Sequence, residues 1–181
     1  MKLLLSVVAL VACACPVLAQ SGDIVVNTGG SVNCVNVKGE SGFDALSYSL
    51  GGTVATNLAG GGVQTAGKPH LSDLAIVKNF DACSEALIRS FLSAKSMPTV
   101  TLIHYNRSSV SQQPPFAALT ITLSNAFINS YQISGAASEH PTETVSFSYT
   151  KVCIASITQS PTGTLGTPVR VCYDLARNLV N

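Results

Sequence analysis

The chain has 181 residues, ten basic and nine acidic, for a formal net charge of +1, and only 10% of its residues are charged. So even a balance argues against nucleic acid or an anionic membrane as a partner. It also leaves little long-range repulsion to keep copies apart, which is mild evidence for a protein that assembles.

Residues 1–19 read as a targeting segment: Lys2 supplies the positive start, residues 3–11 the short apolar run, and Val17-Leu18-Ala19 before Gln20 the cleavage site. That run is too short to cross a bilayer as a helix. A competing reading takes Leu10-Val11-Ala12-Cys13 as a lipobox, with Cys13 lipidated and the protein held at a membrane. Both readings take the chain out of the cytoplasm, to a secreted, extracellular or periplasmic location. Removing 19 of 181 residues leaves 162, expected to form a single domain over residues 20–181 with nine bases against nine acids.

Residues 20–30 read as a polar, glycine-rich lead-in, residues 32–38 as a first strand and residues 45–50 as a second. Residues 51–67 form a long loop rich in Gly, Ala and Thr, either a floppy insertion or a contact arm. Residues 71–97 give a strand with Leu74, Ile76 and Phe80 on its apolar face, then a helix. Asp81 is the expected N-cap, Cys83, Leu87, Ile88, Phe91 and Leu92 form the apolar stripe, and Pro98 ends the helix. Two-period alternation predicts strands at 99–105, 117–123, 126–133 and 145–154, then a hairpin from 154–159 and 168–173. Some eight short strands with one helix predict a mainly β fold, a small barrel or curled sandwich.

Cys13 and Cys15 leave with the first segment, so Cys34, Cys83, Cys153 and Cys172 remain. An even number in an exported chain favours two disulfides, with three connectivities open. Cys153 and Cys172 flank a Pro-Thr-Gly-Thr-Leu-Gly turn and are placed to face each other across a hairpin, which leaves Cys34 for Cys83. A metal site is the weaker alternative, since no C-x-x-C or neighbouring His appears.

Motifs for chemistry are thin, and no catalytic residue or cofactor is expected. Residues 62–69 fit G-x-x-x-x-G-K, but Pro69 stands where a phosphate loop needs Ser or Thr. His70, His104 and His140 lie on separate segments without a second ligand at metal spacing. There is no G-x-S-x-G elbow, and Cys83 on a helix stripe suits a disulfide or core role better than a nucleophile's. Glu139 and Glu143 share one short stretch, and Asn106-Arg107-Ser108 is a sequon common by chance.

Several blocks nevertheless resemble one family, the haemolysin-coregulated proteins that form the inner tube of the type VI secretion system. They are Ser72-Asp73-Leu74 with Val77-Lys78-Asn79-Phe80-Asp81, Ser130-Tyr131-Gln132-Ile133, and Pro141-Thr142-Glu143-Thr144-Val145-Ser146-Phe147. Gly39-Glu40-Ser41, Leu46-Ser47-Tyr48 and Cys172-Tyr173-Asp174-Leu175 extend the likeness from residue 32 to 178. The resemblance implies a barrel of two curled antiparallel sheets with a flanking helix, no enzymatic activity, and hexameric rings that stack into a tube. It implies self, effector, and spike or sheath partners, and makes residues 51–67, with Gly51, Gly60, Gly61, Gly62 and Gly67, the ring-stacking arm. The export segment and the four mature cysteines depart from the family's pattern. They keep a second reading open, a secreted ring or monomer acting as an adhesin or cargo carrier.

Overall fold

The computed structural model describes residues 23–36, 39–57, 65–108, 110 and 113–181. In chain order the elements are β1 (Ile24–Asn27), β2 (Phe43–Ala45), β3 (Ser47–Ser49), β4 (Gly52–Asn57), β5 (Thr65–Leu71) and β6 (Leu74–Asn79). Then come helix α1 (Ser84–Leu92), β7 (Met97–Asn106), β8 (Phe116–Ser134), β9 (Thr142–Ser148), β10 (Lys151–Ser156), β11 (Val169–Asp174) and β12 (Leu179–Val180).

The strands make two curled antiparallel layers. The first runs β12-β11-β10-β8-β7-β1-β2, and the second joins β3, β6 and β9 to the far half of β8. Between them Phe43, Leu74, Ile76, Met97, Leu102, Leu123, Val145 and Phe147 are fully buried, and Leu87 of α1 joins the same core. Alternation of apolar and polar residues along each strand puts these side chains on one face.

β8 belongs to both layers. Its first part pairs with β7 and β10, whereas residues 127–134 pair with β9. The change of direction falls at Asn125, whose φ of +50° is a left-handed conformation that asparagine tolerates better than most residues. The sequence therefore suggests two strands where one 19-residue strand bends. The predicted strand at 145–154 shows the opposite: it splits into β9 and β10 because the chain changes layers at Tyr149–Thr150. The two crossings lie side by side, with the Thr150 amide donating to the Ser124 carbonyl (3.1 Å) and Asn125 Nδ2 to Thr150 Oγ1 (3.1 Å).

Three further expectations need correction. The lead-in at 20–30 contains a true strand: β1 is laddered on both sides, to β2 and β7, and that pairing supplies what four residues lack locally. The expected strand at 32–38 makes only a bridge between Val35 and Ser41 among the described residues. Its hydrogen bonds are local instead: Asn36 Oδ1 accepts from the Glu40 amide (2.8 Å), and the turn needs Gly39 at a φ of +81°. The loop at 51–67 is, where described, the two-stranded ribbon of β4 and β5.

The helix is also bounded differently. Cys83 occupies the N-cap position without a side-chain cap bond, and Asp81 acts two residues earlier by accepting the Cys83 amide at 2.8 Å. At the other end Ala94 takes a φ of +48°, while the amides of Ala94 and Lys95 donate to the carbonyls of Phe91 and Ser90, both at 3.0 Å. That pair of bonds is a Schellman stop, so α1 ends before Pro98, which lies inside β7.

Candidate functional site

The most tightly organised polar group in the molecule joins β6, α1, β8 and β9. Lys78 and Glu143 are directly opposite in the β6–β9 ladder, and both side chains are 0% exposed. Lys78 Nζ lies 2.8 Å from Glu143 Oε1 and 2.8 Å from Asp81 Oδ1, and it donates to the Asn79 carbonyl at 2.7 Å. The Ser84 hydroxyl donates to Glu143 Oε1 at 3.0 Å, and the Tyr131 hydroxyl donates to Glu143 Oε2. Tyr131 also stacks on Phe91 of α1. Both charges are thus compensated and hydrogen-bonded, the condition under which a buried ion pair is tolerable. The arrangement ties the start of the helix to the sheet, with the Asp81 carboxylate at its partly exposed edge.

Sequence reading had Lys78 and Glu143 only as letters in two separate blocks, and it placed Glu143 with Glu139 in one loop. One signal was present. Lys78 continues the inward phase of Leu74 and Ile76, and Glu143 that of Val145 and Phe147. A lysine and a glutamate in phase with buried positions on two strands invite pairing.

The structure joins Cys34 to Cys83 and Cys153 to Cys172, with Cα–Cα separations of 5.3 and 4.0 Å. The first ties the β1–β2 connection to the start of α1. The second crosses between directly opposed residues of β10 and β11.

The histidines are not brought together. His70 is exposed on β5, His140 is exposed in the turn before β9, and His104 on β7 meets the Tyr48 hydroxyl at 3.2 Å. Burial pushes the Tyr48 phenol up from its ordinary value. Among the described residues no group of three or more His, Cys, Asp or Glu is placed to hold a metal, and no helix is long and apolar enough to cross a membrane.

Of the arm glycines, Gly60, Gly61 and Gly62 lie outside the described residues. Gly51 precedes β4 and accepts from Ser72 at its carbonyl (2.8 Å), while Gly67 sits in β5. Gly52 is needed at the base of the ribbon, where an added Cβ would stand 2.7 Å from Leu71 and 2.9 Å from the His70 carbonyl. Lys68, the lysine of the phosphate-loop-like motif, donates instead to the Leu175 carbonyl at 2.9 Å.

Backbone and apolar groups are also left open along the strand borders. β12 and Asn181 cover β11 only from Cys172 to Asp174, so Val169, Arg170 and Val171 have no strand beyond them among the described residues. Val169 is 69% and Val171 50% exposed, and Val180 of β12 adds to the same strip. Among the described residues, β2 and β3 each pair on one side only.

The family model described as "Type VI secretion system effector, Hcp" matches residues 23–155. The chain belongs to the Hcp family. Comparison with curated proteins found no match. Among solved structures, the chain is similar to a type six secretion system protein at 21% identity, with a TM-score of 0.79 over 89% of this chain and 100% of that one. It is also similar to Hcp1 from Salmonella typhimurium (20% identity, TM-score 0.69, 90% and 100% covered). A third likeness is to a type VI secretion system effector from Yersinia pestis (18%, 0.59, 84% and 99%). At these identities the solved structures establish a shared fold, consistent with the two curled sheets and single helix of this Hcp-family chain.

Proposed function

We propose that this chain is a non-enzymatic structural subunit that closes into hexameric rings, which stack into a tube of the type VI secretion kind. The single observation that carries the reading is the bare apolar border of β11 and β12. An exposed strand edge with alternate valines invites pairing with another chain, and a closed ring of identical subunits removes such edges. The near-neutral surface favours the same outcome. The β4–β5 ribbon, a separate two-stranded sheet, is the natural arm to reach a neighbouring ring. Effectors in the lumen and spike or sheath proteins are the partners this reading implies.

The N-terminal segment and the two disulfides favour a mature protein of residues 20–181 that works outside the cytoplasm. A secreted adhesin or cargo carrier on the same fold is the second reading, and these same features support it. Negative-stain electron microscopy of the oxidised mature protein separates the two: rings of six subunits, alone or stacked, support the first. Isolated particles of single-subunit size across the concentration range contradict it.

A further inference from the structure

β11 is held on its sheet by little besides backbone hydrogen bonds and one covalent link. Within the strand only Cys172 is buried; Tyr173 and Asp174 are half-buried, and Val169, Arg170 and Val171 are exposed. Of these residues Tyr173 is the one that packs against the buried core. β12 pairs with β11 and, among the described residues, with no other strand. The whole border therefore rests on the ladder of Lys151–Ser156 against Val169–Asp174.

The Cys153–Cys172 bond reinforces that ladder at a rung without hydrogen bonds. The Cys172 amide donates to the Asn181 carbonyl (2.8 Å), and the Cys172 carbonyl accepts the Asn181 amide (2.9 Å). With both groups turned to that side, Cys172 and Cys153 are directly opposed but share no backbone hydrogen bond. Cys172 also marks where cover ends: from it onward β11 has a neighbour, and before it the strand is bare.

The two disulfides differ in what they hold. Cys34 and Cys83 belong to the buried cluster, so their bond is part of the core. Cys153 and Cys172 lie outside that cluster, while Val152 and Tyr173, the next rung of the ladder, face it. Loss of the second bond therefore frees β11 and β12 without opening the core. An edge element with few buried contacts and exposed hydrogen bonds opens locally at small free-energy cost, and a cross-link raises that cost.

This stretch is the border that the proposed ring uses, so the inference rests on that reading. We propose that the Cys153–Cys172 bond is a redox gate on assembly. The dithiol chain folds with β11 and β12 loosely held and stays a monomer; the disulfide chain presents a fixed border and closes rings. The bond forms by exchange with an oxidant of the disulfide class. Two electrons and two thiol protons pass to the oxidant, which leaves as two thiols, and one Sγ–Sγ bond is made. Reduction by a dithiol runs the same step backwards. Copies are thus kept apart in a thiol-rich compartment and join in an oxidising one.

The test uses the mature chain with Cys34→Ala and Cys83→Ala, in which dithiothreitol can act on the border bond alone. Light scattering coupled to size exclusion is expected to show it assembled when oxidised, monomeric after dithiothreitol, and assembled again after oxidised glutathione. Cys153→Ala with Cys172→Ala keeps the test decisive if that chain fails to fold. It is expected to stay folded by circular dichroism and monomeric with or without reductant. Hydrogen exchange, read at a dilution where every form is monomeric, is expected to quicken roughly tenfold or more at 169–174 when the bond is absent, with 97–106 of β7 unchanged. A dithiol chain that assembles as the oxidised one does, or exchange at 169–174 indifferent to the bond, overturns the gate and leaves the tube reading standing. Global unfolding of the Cys153→Ala, Cys172→Ala chain also overturns it, because the bond would then serve the whole fold. A native oxidised chain that never assembles overturns the tube reading, and the gate with it.

Discussion

The corner built by Lys78 and Glu143 and the border built by β11 and β12 handle unfavourable groups in opposite ways. At the corner two full charges are taken out of water, and each meets hydrogen-bond partners from the same chain. At the border, valines and backbone groups that ordinarily seek cover are left in solvent. A chain able to compensate a buried lysine so fully does not leave an apolar edge bare for lack of means. On the reading proposed above, the difference separates a surface finished within the subunit from one that another copy would finish.

Breaking the corner gives the largest effect. Glu143→Ala strands the Lys78 ammonium in the core and is expected to cost about 3–5 kcal/mol by chemical denaturation. The double variant Lys78→Met with Glu143→Leu is expected to cost less than either single change, because no unpaired charge remains. A double variant worse than both singles would show that the pair is needed for more than mutual compensation.

Disulfide loss comes next. The bonds span sequence separations of 49 and 19 residues. By chain entropy, replacing Cys34 and Cys83 with serine is expected to cost about 4 kcal/mol, and Cys153 with Cys172 about 3 kcal/mol. Urea midpoints of the two double variants test that order.

At the border the expectation reverses. Val171→Lys is expected to change subunit stability by about 0.5 kcal/mol or less, since the site is already half exposed. Its effect belongs to association, read by sedimentation velocity as loss of the assembled species. A variant that unfolds without changing association would place Val171 in the corner's category.

A further effect, dependent on pH, concerns Tyr149. Burial first, and Asp73 second, push its phenol up to about 12 from an ordinary value of 10.0, and its hydroxyl donates to the Ser72 carbonyl at 2.9 Å. Because the folded value is raised, the stabilisation is complete below pH 10 and fades as pH rises through about 12. Tyr149→Phe is expected to lose about 1 kcal/mol at neutral pH and to show a flatter alkaline limb.

Much of this was legible in the sequence. Alternation in 117–123, 126–133 and 145–154 located the long strands, and the stripe of Cys83, Leu87, Ile88, Phe91 and Leu92 located the helix, although Leu92 at its end is exposed and does not join the core. Local pattern missed what depends on distant partners. β1 is too short to announce itself and exists through ladders to β2 and β7. The bend at Asn125 and the break at Tyr149–Thr150 follow from which layer each half joins, which periodicity does not record. The helix ends at Ala94, where an αL alanine serves the role more often given to glycine, so no glycine marked the stop. Of the candidate site, the Lys78–Glu143 pair was visible as in-phase charged letters but not as a contact. The bare edge was invisible, because exposure depends on which strand lies alongside.

The central claim is that the β11–β12 border is completed by a second copy of this chain. Light scattering coupled to size exclusion, on the oxidised mature protein beside its Val171→Lys variant, tests it directly. The account predicts an assembly of six subunits for the native chain and a folded monomer for the variant. A native chain that elutes as a monomer at high concentration, or a variant that assembles as the native chain does, would contradict it.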